Sequence, residues 1–157
     1  MHFTKDVRNR LKKQLCLLAA IALMPSPCCS SPESPEFMCD VEVELSREDF
    51  RTRPNYSGRV YLRIGGELTV ILCSNPSTGF SWPESAQISD QAVLVQIDHK
   101  WLPPANDLIG ADNQQVWTFE TLNVGSSTIY LEYSQSWESG IKAVWTFRLT
   151  VVVKGSC

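Results

Sequence analysis

The chain has 157 residues, 43% of them hydrophobic and 20% charged, with a formal net charge of −3. That is room for one globular domain and no comfortable room for a second. Six cysteines, at positions 16, 28, 29, 39, 73 and 157, include no CxxC pair and no Cys/His cluster, so the spacing offers nothing that zinc requires and no metal or other cofactor is expected.

The first residues depart from the average composition. Lys5, Arg8, Arg10, Lys12 and Lys13 precede the apolar run Leu15 to Met24, and Pro25-Ser26-Pro27-Cys28-Cys29 follows. A basic start, an apolar run of about 10 residues and a small-residue break predict an export signal over 1–29; a bilayer-spanning helix needs about 20 residues. Cys28 or Cys29 is a candidate lipid-bearing cysteine, although Pro27 is a poor neighbour for such a cleavage. Ser30, Ser31, Pro32, Ser34 and Pro35 make residues 30–38 a polar, proline-rich tether to a domain over 39–157. The expected location is outside the cytoplasm: secreted, periplasmic or anchored at the cell surface. Without residues 1–29 the chain keeps 9 of its 14 basic and 16 of its 17 acidic side chains, a net charge of −7. Phosphate backbones and anionic lipid surfaces repel such a domain, so a nucleic-acid partner is excluded and a membrane enters only through a lipid anchor.

From residue 39 onward the apolar residues recur with period two, the pattern of half-buried strands. Val41, Val43 and Leu45 form one set. Val60, Leu62 and Ile64 form the next, and Leu68, Val70 and Leu72 follow Gly65-Gly66. Further sets are Val93 to Ile97, then Trp117 and Phe119, then Ile129, Leu131 and Tyr133, and finally Trp145, Phe147, Leu149 and Val151. Seven or eight strands and almost no helix predict an all-β, immunoglobulin-like antiparallel β-sandwich, with Trp117 and Trp145 in its core. The polar stretch from Arg47 to Gly58 reads as a surface excursion between the first two strands. In an exported domain Cys39 and Cys73 are a candidate disulfide, because the start of a first strand lies beside the end of an antiparallel second one; Cys39 with Cys157, or Cys157 unpaired, stays open.

Three breaks between strands carry the distinctive chemistry. Asn75-Pro76-Ser77-Thr78-Gly79-Phe80 follows an apolar strand and leads to Trp82. Pro76 fixes its own φ and biases Asn75 to extended backbone, Gly79 supplies a positive φ, and the hydroxyls of Ser77 and Thr78 can satisfy nearby backbone groups. The result is a stiff wedge that enters a cleft at little entropic cost, although the same residues also make good generic turns. The second break is Leu108-Ile109-Gly110-Ala111-Asp112-Asn113, after Trp101-Leu102-Pro103-Pro104. The third runs Tyr133-Ser134-Gln135-Ser136-Trp137-Glu138, where Trp137 has the size and stiffness of an interface anchor.

The Asn75 to Phe80 segment with Trp82 resembles the NPTTGF/Y-W signature of the chagasin-like inhibitors of papain-type cysteine peptidases, with Ser77 in the first threonine position. The resemblance covers the three loops in order across residues 59–153. It implies a monomeric protein that is no enzyme and that reversibly blocks a papain-like cysteine peptidase, the first loop entering the active site and the others gripping its walls. The implied contacts are Asn75, Pro76, Ser77, Thr78, Gly79 and Phe80, with Gly110 and Ala111 in the second loop and Gln135, Ser136 and Trp137 in the third. Two departures stand out. The second loop has Asp112-Asn113 where the family has further glycines, and Gln135-Ser136 stands where it has Arg-Pro. Losing the arginine's charge-assisted hydrogen bond costs about 1.5–3 kcal/mol.

Two other readings compete. A catalytic role would have to use His99, the one histidine beyond residue 29, which sits in a strand pattern with no evident nucleophile; Glu42 and Glu44 read as a solvated strand face. A non-inhibitory immunoglobulin-like binding module would use the same three loops on another surface.

Overall fold

The computed structural model describes residues 34–103 and 113–157; the expected export signal and most of the second loop, including Gly110 and Ala111, lie outside them. The described residues form eight strands: β1 (Met38–Leu45), β2 (Asn55–Ser74), β3 (Phe80–Ser81), β4 (Gln87–Ile88), β5 (Leu94–Leu102), β6 (Asn113–Thr121), β7 (Gly125–Gln135) and β8 (Trp145–Ser156). They follow one hydrogen-bonded path, β3-β7-β8-β2-β6-β5, with β1 added to β2 and β4 to β7. The all-β architecture is the one the period-two pattern predicts: β7 and much of β8 alternate buried and more exposed side chains residue by residue, and β1 alternates half-buried and exposed ones.

The path becomes a sandwich because β2 belongs to both layers. Its first part, Asn55 to Ile64, pairs with β8; its second, Glu67 to Ser74, pairs with β6 and β1. The apolar sets at 60–64 and 68–72 are therefore one 20-residue strand. The bend falls at Gly65, with φ 77°, and at Gly66, where a Cβ would lie 2.3 Å from the Cys39 carbonyl oxygen. Thr121 ties the bend together: its Oγ1 accepts from Gly66 N at 2.9 Å and donates to the Arg63 carbonyl at 2.6 Å. Strands that switch layers at such a bend make the corners of a sandwich. Leu62, Leu68, Val70, Leu72, Trp117, Phe119, Ile129, Leu131, Phe147, Leu149 and Val151 from both layers meet in one buried core.

The pairing is not antiparallel throughout. β2 runs parallel to β8 and to β1. That direction decides the disulfide. Leu45, at the end of β1, lies opposite Leu72, so Cys39 sits at the far end of β1 from Cys73. Cys39 instead meets Cys157, just past β8, with Cα atoms 5.7 Å apart, and Cys73 is a buried free thiol. The expected Cys39–Cys73 pair fails because it assumed antiparallel neighbours. Burial pushes the Cys73 thiol up to about 11, against the opposing charge of Arg47. The bond spans 118 residues. Cys157→Ser is expected to cost about 2–4 kcal/mol of unfolding free energy in urea titrations, and an unchanged midpoint would show that the crosslink constrains nothing.

The stretch after β1 is also more than an excursion. Arg47–Thr52 form a short helix, α1, started by a reciprocal capping box between Ser46 and Asp49. Phe50 on its inner face is fully buried, 5.1 Å centroid to centroid from Trp145 and 5.3 Å from Trp82.

Candidate functional site

Strand register gathers the loops at one pole. Ser74, at the end of β2, is opposite Asn113 at the start of β6, so the first and second loops spring from adjacent strands. Phe80, on the far side of the first loop, pairs with Gln135, where the third loop begins. Tyr133 and Trp145 face each other across β7 and β8 and close the third loop's base. The disulfide end of β1 and β8 is the opposite pole.

Asn75 organises the first loop. Its carbonyl accepts from Thr78 N at 3.2 Å and from Thr78 Oγ1 at 2.7 Å. Its side-chain Oδ1 accepts from the Ser77 amide at 3.2 Å and from the Ser77 hydroxyl. Its own N–H donates to Tyr133 Oη at 2.8 Å. Pro76–Thr78 is thereby one tight 3-10 turn, and Gly79 turns the chain back with φ 77°, a conformation that favours glycine. Ser77 and Thr78 stand exposed at the crest while Asn75, Gly79 and Phe80 are half-buried. Beneath lies an aromatic floor: Tyr133 stacks on Trp145 at 4.8 Å, lies 5.0 Å from Trp82 and 5.6 Å from Phe80. Trp82 Nε1 donates to the Cys73 carbonyl at 2.9 Å, so the strand before the loop and the residue after it are fastened together.

The third loop is held by its own polar groups. Gln135 N donates to the Ile141 carbonyl at 2.9 Å, and Ile141 N donates back to Gln135 Oε1 at 2.8 Å. Lys142 Nζ donates to the carbonyls of Trp137, at 2.9 Å, and Gln135. Gln135 oxygen thus serves loop closure, and Ser136 is exposed beside it. Trp137 is 48% exposed, and its ring lies over Gly79 so closely that a Cβ there would be 2.6 Å from the nearest ring carbon. The wedge and the tryptophan are one contiguous surface.

His99 is half-buried. Its Nε2 is 3.2 Å from Gln115 Oε1, Gln115 Nε2 donates to Ser74 Oγ at 3.0 Å, and the ring lies 5.0 Å from Trp117. These contacts satisfy a structural histidine and place no nucleophile or carboxylate on it. Among the described residues no three His, Cys, Asp or Glu side chains converge as a metal site. Sequence reasoning missed Phe50, the clamp from Tyr133, and Lys142. The Ser46-x-x-Asp49 spacing ahead of Phe50 was a usable sign of α1; the other two depend on contacts across strands.

The chain matches the family model described as Chagasin family peptidase inhibitor I42 over residues 61–151, more than half its length. It is 30% identical over 114 residues to Amoebiasin-2 of Entamoeba histolytica, covering 73% of this chain and 86% of that one. To Chagasin of Trypanosoma cruzi it is 24% identical over 88 residues, 55% of this chain and 80% of the other. Among solved structures it superposes on the E. histolytica cysteine protease inhibitor EhICP2 with a TM-score of 0.56 at 19% identity, covering 73% and 97% of the two chains. PbICP-C, solved in complex with falcipain-2, gives 0.53 at 14% identity, covering 72% and 98%. With a family match of this extent on an immunoglobulin-like sandwich of this shape, the chain belongs to the chagasin family of peptidase inhibitors.

Proposed function

We propose that this inhibitor blocks papain-type cysteine peptidases by seating the Ser77-Thr78-Gly79 crest in the active-site cleft, with Trp137 bracing on one wall and the Gly110-Ala111 loop on the other. The observation that carries the reading is the contact of Trp137 with Gly79, which joins two of the three loops into one preformed surface. PbICP-C, whose fold is similar, is solved in complex with falcipain-2.

A papain-type site pairs a cysteine thiolate with a histidinium, and a substrate must lie extended with its carbonyl aimed at the sulfur. The crest cannot do this. Pro76–Thr78 are wound into a 3-10 turn whose hydroxyls and amides bond back to Asn75, so its peptide bonds are held away from near-attack geometry while filling the cleft. Binding is reversible because no bond is exchanged. With Gln135 and Ser136 in place of the Arg-Pro pair, affinity rests mainly on the first loop and Trp137. The second loop springs from Asn113, beside Ser74, which is the position such a grip requires.

We also read the protein as exported and monomeric, with residues 1–29 as its signal region; a cut directly before Cys28 or Cys29 would leave that cysteine as the N-terminal lipid acceptor, and a cut after residue 29 would leave a lipid-free chain. The Cys39–Cys157 bond supports an oxidising compartment. The intact mass of the mature chain tests cleavage and lipid together.

Titration of papain with the purified domain is expected to give inhibition at or below micromolar protein, and Thr78→Arg to weaken it by roughly a hundredfold through a clash and a buried charge at the crest. No inhibition by the unmodified domain, or capture of papain that is undiminished when its cleft is blocked, would favour the non-inhibitory binding module instead.

A further inference from the structure

One element at the loop pole belongs to none of the three loops. β1 ends there and β2 begins there, with Leu45 opposite Leu72 and Asn55 opposite Thr146, so α1 between them is laid across the same pole. Its capping box and the buried Phe50 fix it in place. Arg47 and Arg51, four residues apart, share a helix face. They line a hollow together with Asn75 and Thr78 of the wedge and the aromatic residues Tyr133 and Trp145. A partner that engages Thr78 is therefore brought to the edge of the hollow.

We propose that α1 is a fourth contact element, where Arg51, supported by Arg47, receives a carboxylate side chain from the adjoining wall of the peptidase cleft. This rests on the inhibitory reading and adds a specificity to it. The hollow suits such a side chain in both parts: a methylene stem lies on the aromatic floor, and the carboxylate meets a planar guanidinium fork at the rim. The domain carries 16 acidic and 9 basic side chains beyond residue 29, and α1 itself holds Glu48 and Asp49 as well as Arg47 and Arg51; of these four only the two arginines line the hollow, so it turns positive charge toward a partner that the rest of the domain would repel if that partner were acidic. Arg51 now lies 3.7 Å from Glu48, both side chains being well over half exposed, and a pair so solvated exchanges partners at little cost.

The test compares the unmodified domain, Arg51→Glu and Arg59→Glu against two forms of one papain-like peptidase. One form carries a carboxylate on the cleft wall that faces α1, and in the other that residue is changed to its amide. Arg59 is exposed in mid-strand on β2, opposite Thr150, and controls for net charge. Arg51→Glu is expected to raise Ki by about tenfold or more on the acidic form and by no more than about twofold on the amide form, with Arg59→Glu unchanged on both. Equal effects of the two variants on the acidic form, or an equal loss on both forms of the enzyme, would overturn the proposal while leaving the inhibitory reading intact. If the unmodified domain inhibits neither form, the inhibitory reading fails and this one with it.

Discussion

Gly79→Val is expected to raise Ki for a papain-like peptidase by roughly two to three decades, the largest loss from any single substitution in the loops. Two effects combine at that position. The backbone sits at φ 77°, where a β-branched residue costs about 1–3 kcal/mol. A Cβ would also lie 2.6 and 2.8 Å from two ring carbons of Trp137, so the ring must leave the crest. Wedge and anchor are then lost together, whereas Trp137→Ala removes only the anchor, which is worth about 2 kcal/mol as an interface hot spot. Competition against a fluorogenic substrate measures Ki, and tryptophan emission reports whether the ring has moved. A displaced ring with Ki within about threefold would show that the two loops act separately.

Phe50→Ala is expected to lower the unfolding free energy by about 3–5 kcal/mol, read from the urea midpoint. Had the stretch from Arg47 to Gly58 been a surface excursion, the cost would be within about 0.5 kcal/mol. Phe50 is fully buried and stacked at 13° on Trp145, and Trp145 in turn stacks on Tyr133, whose hydroxyl holds the Asn75 amide. The loss should therefore reach the wedge: inhibition by Phe50→Ala is expected to fall with rising temperature well before that of the unmodified domain. A variant as stable as the parent would mean that the end of the core closes without the helix.

The period-two apolar sets at 41–45, 60–64, 68–72, 129–133 and 145–151 all lie within strands, because alternation is a local property of a half-buried strand and needs no knowledge of its neighbours. The wedge was equally legible, since Pro76, Gly79 and the hydroxyls of Ser77 and Thr78 act within a few residues of themselves. The resemblance places Gln135 as a contact where the family has arginine, yet its side-chain oxygen is engaged by Ile141 N inside its own loop. Nothing local distinguishes those roles. The short strands β3 and β4, two residues each, are too brief to show a period and exist only because β7 offers them an edge.

By itself the sequence determined that the domain is built of strands and that the Asn75 to Phe80 loop is stiff, because these follow from side-chain alternation and from the backbone limits of proline and glycine. Only the tertiary structure decided that β2 bends between two layers, that β1 runs parallel to it, that Cys39 therefore meets Cys157, and that Trp137 closes over Gly79. Those outcomes depend on strand direction and register, which join residues up to 118 positions apart and are selected by burial of the whole core rather than by any segment's own preference.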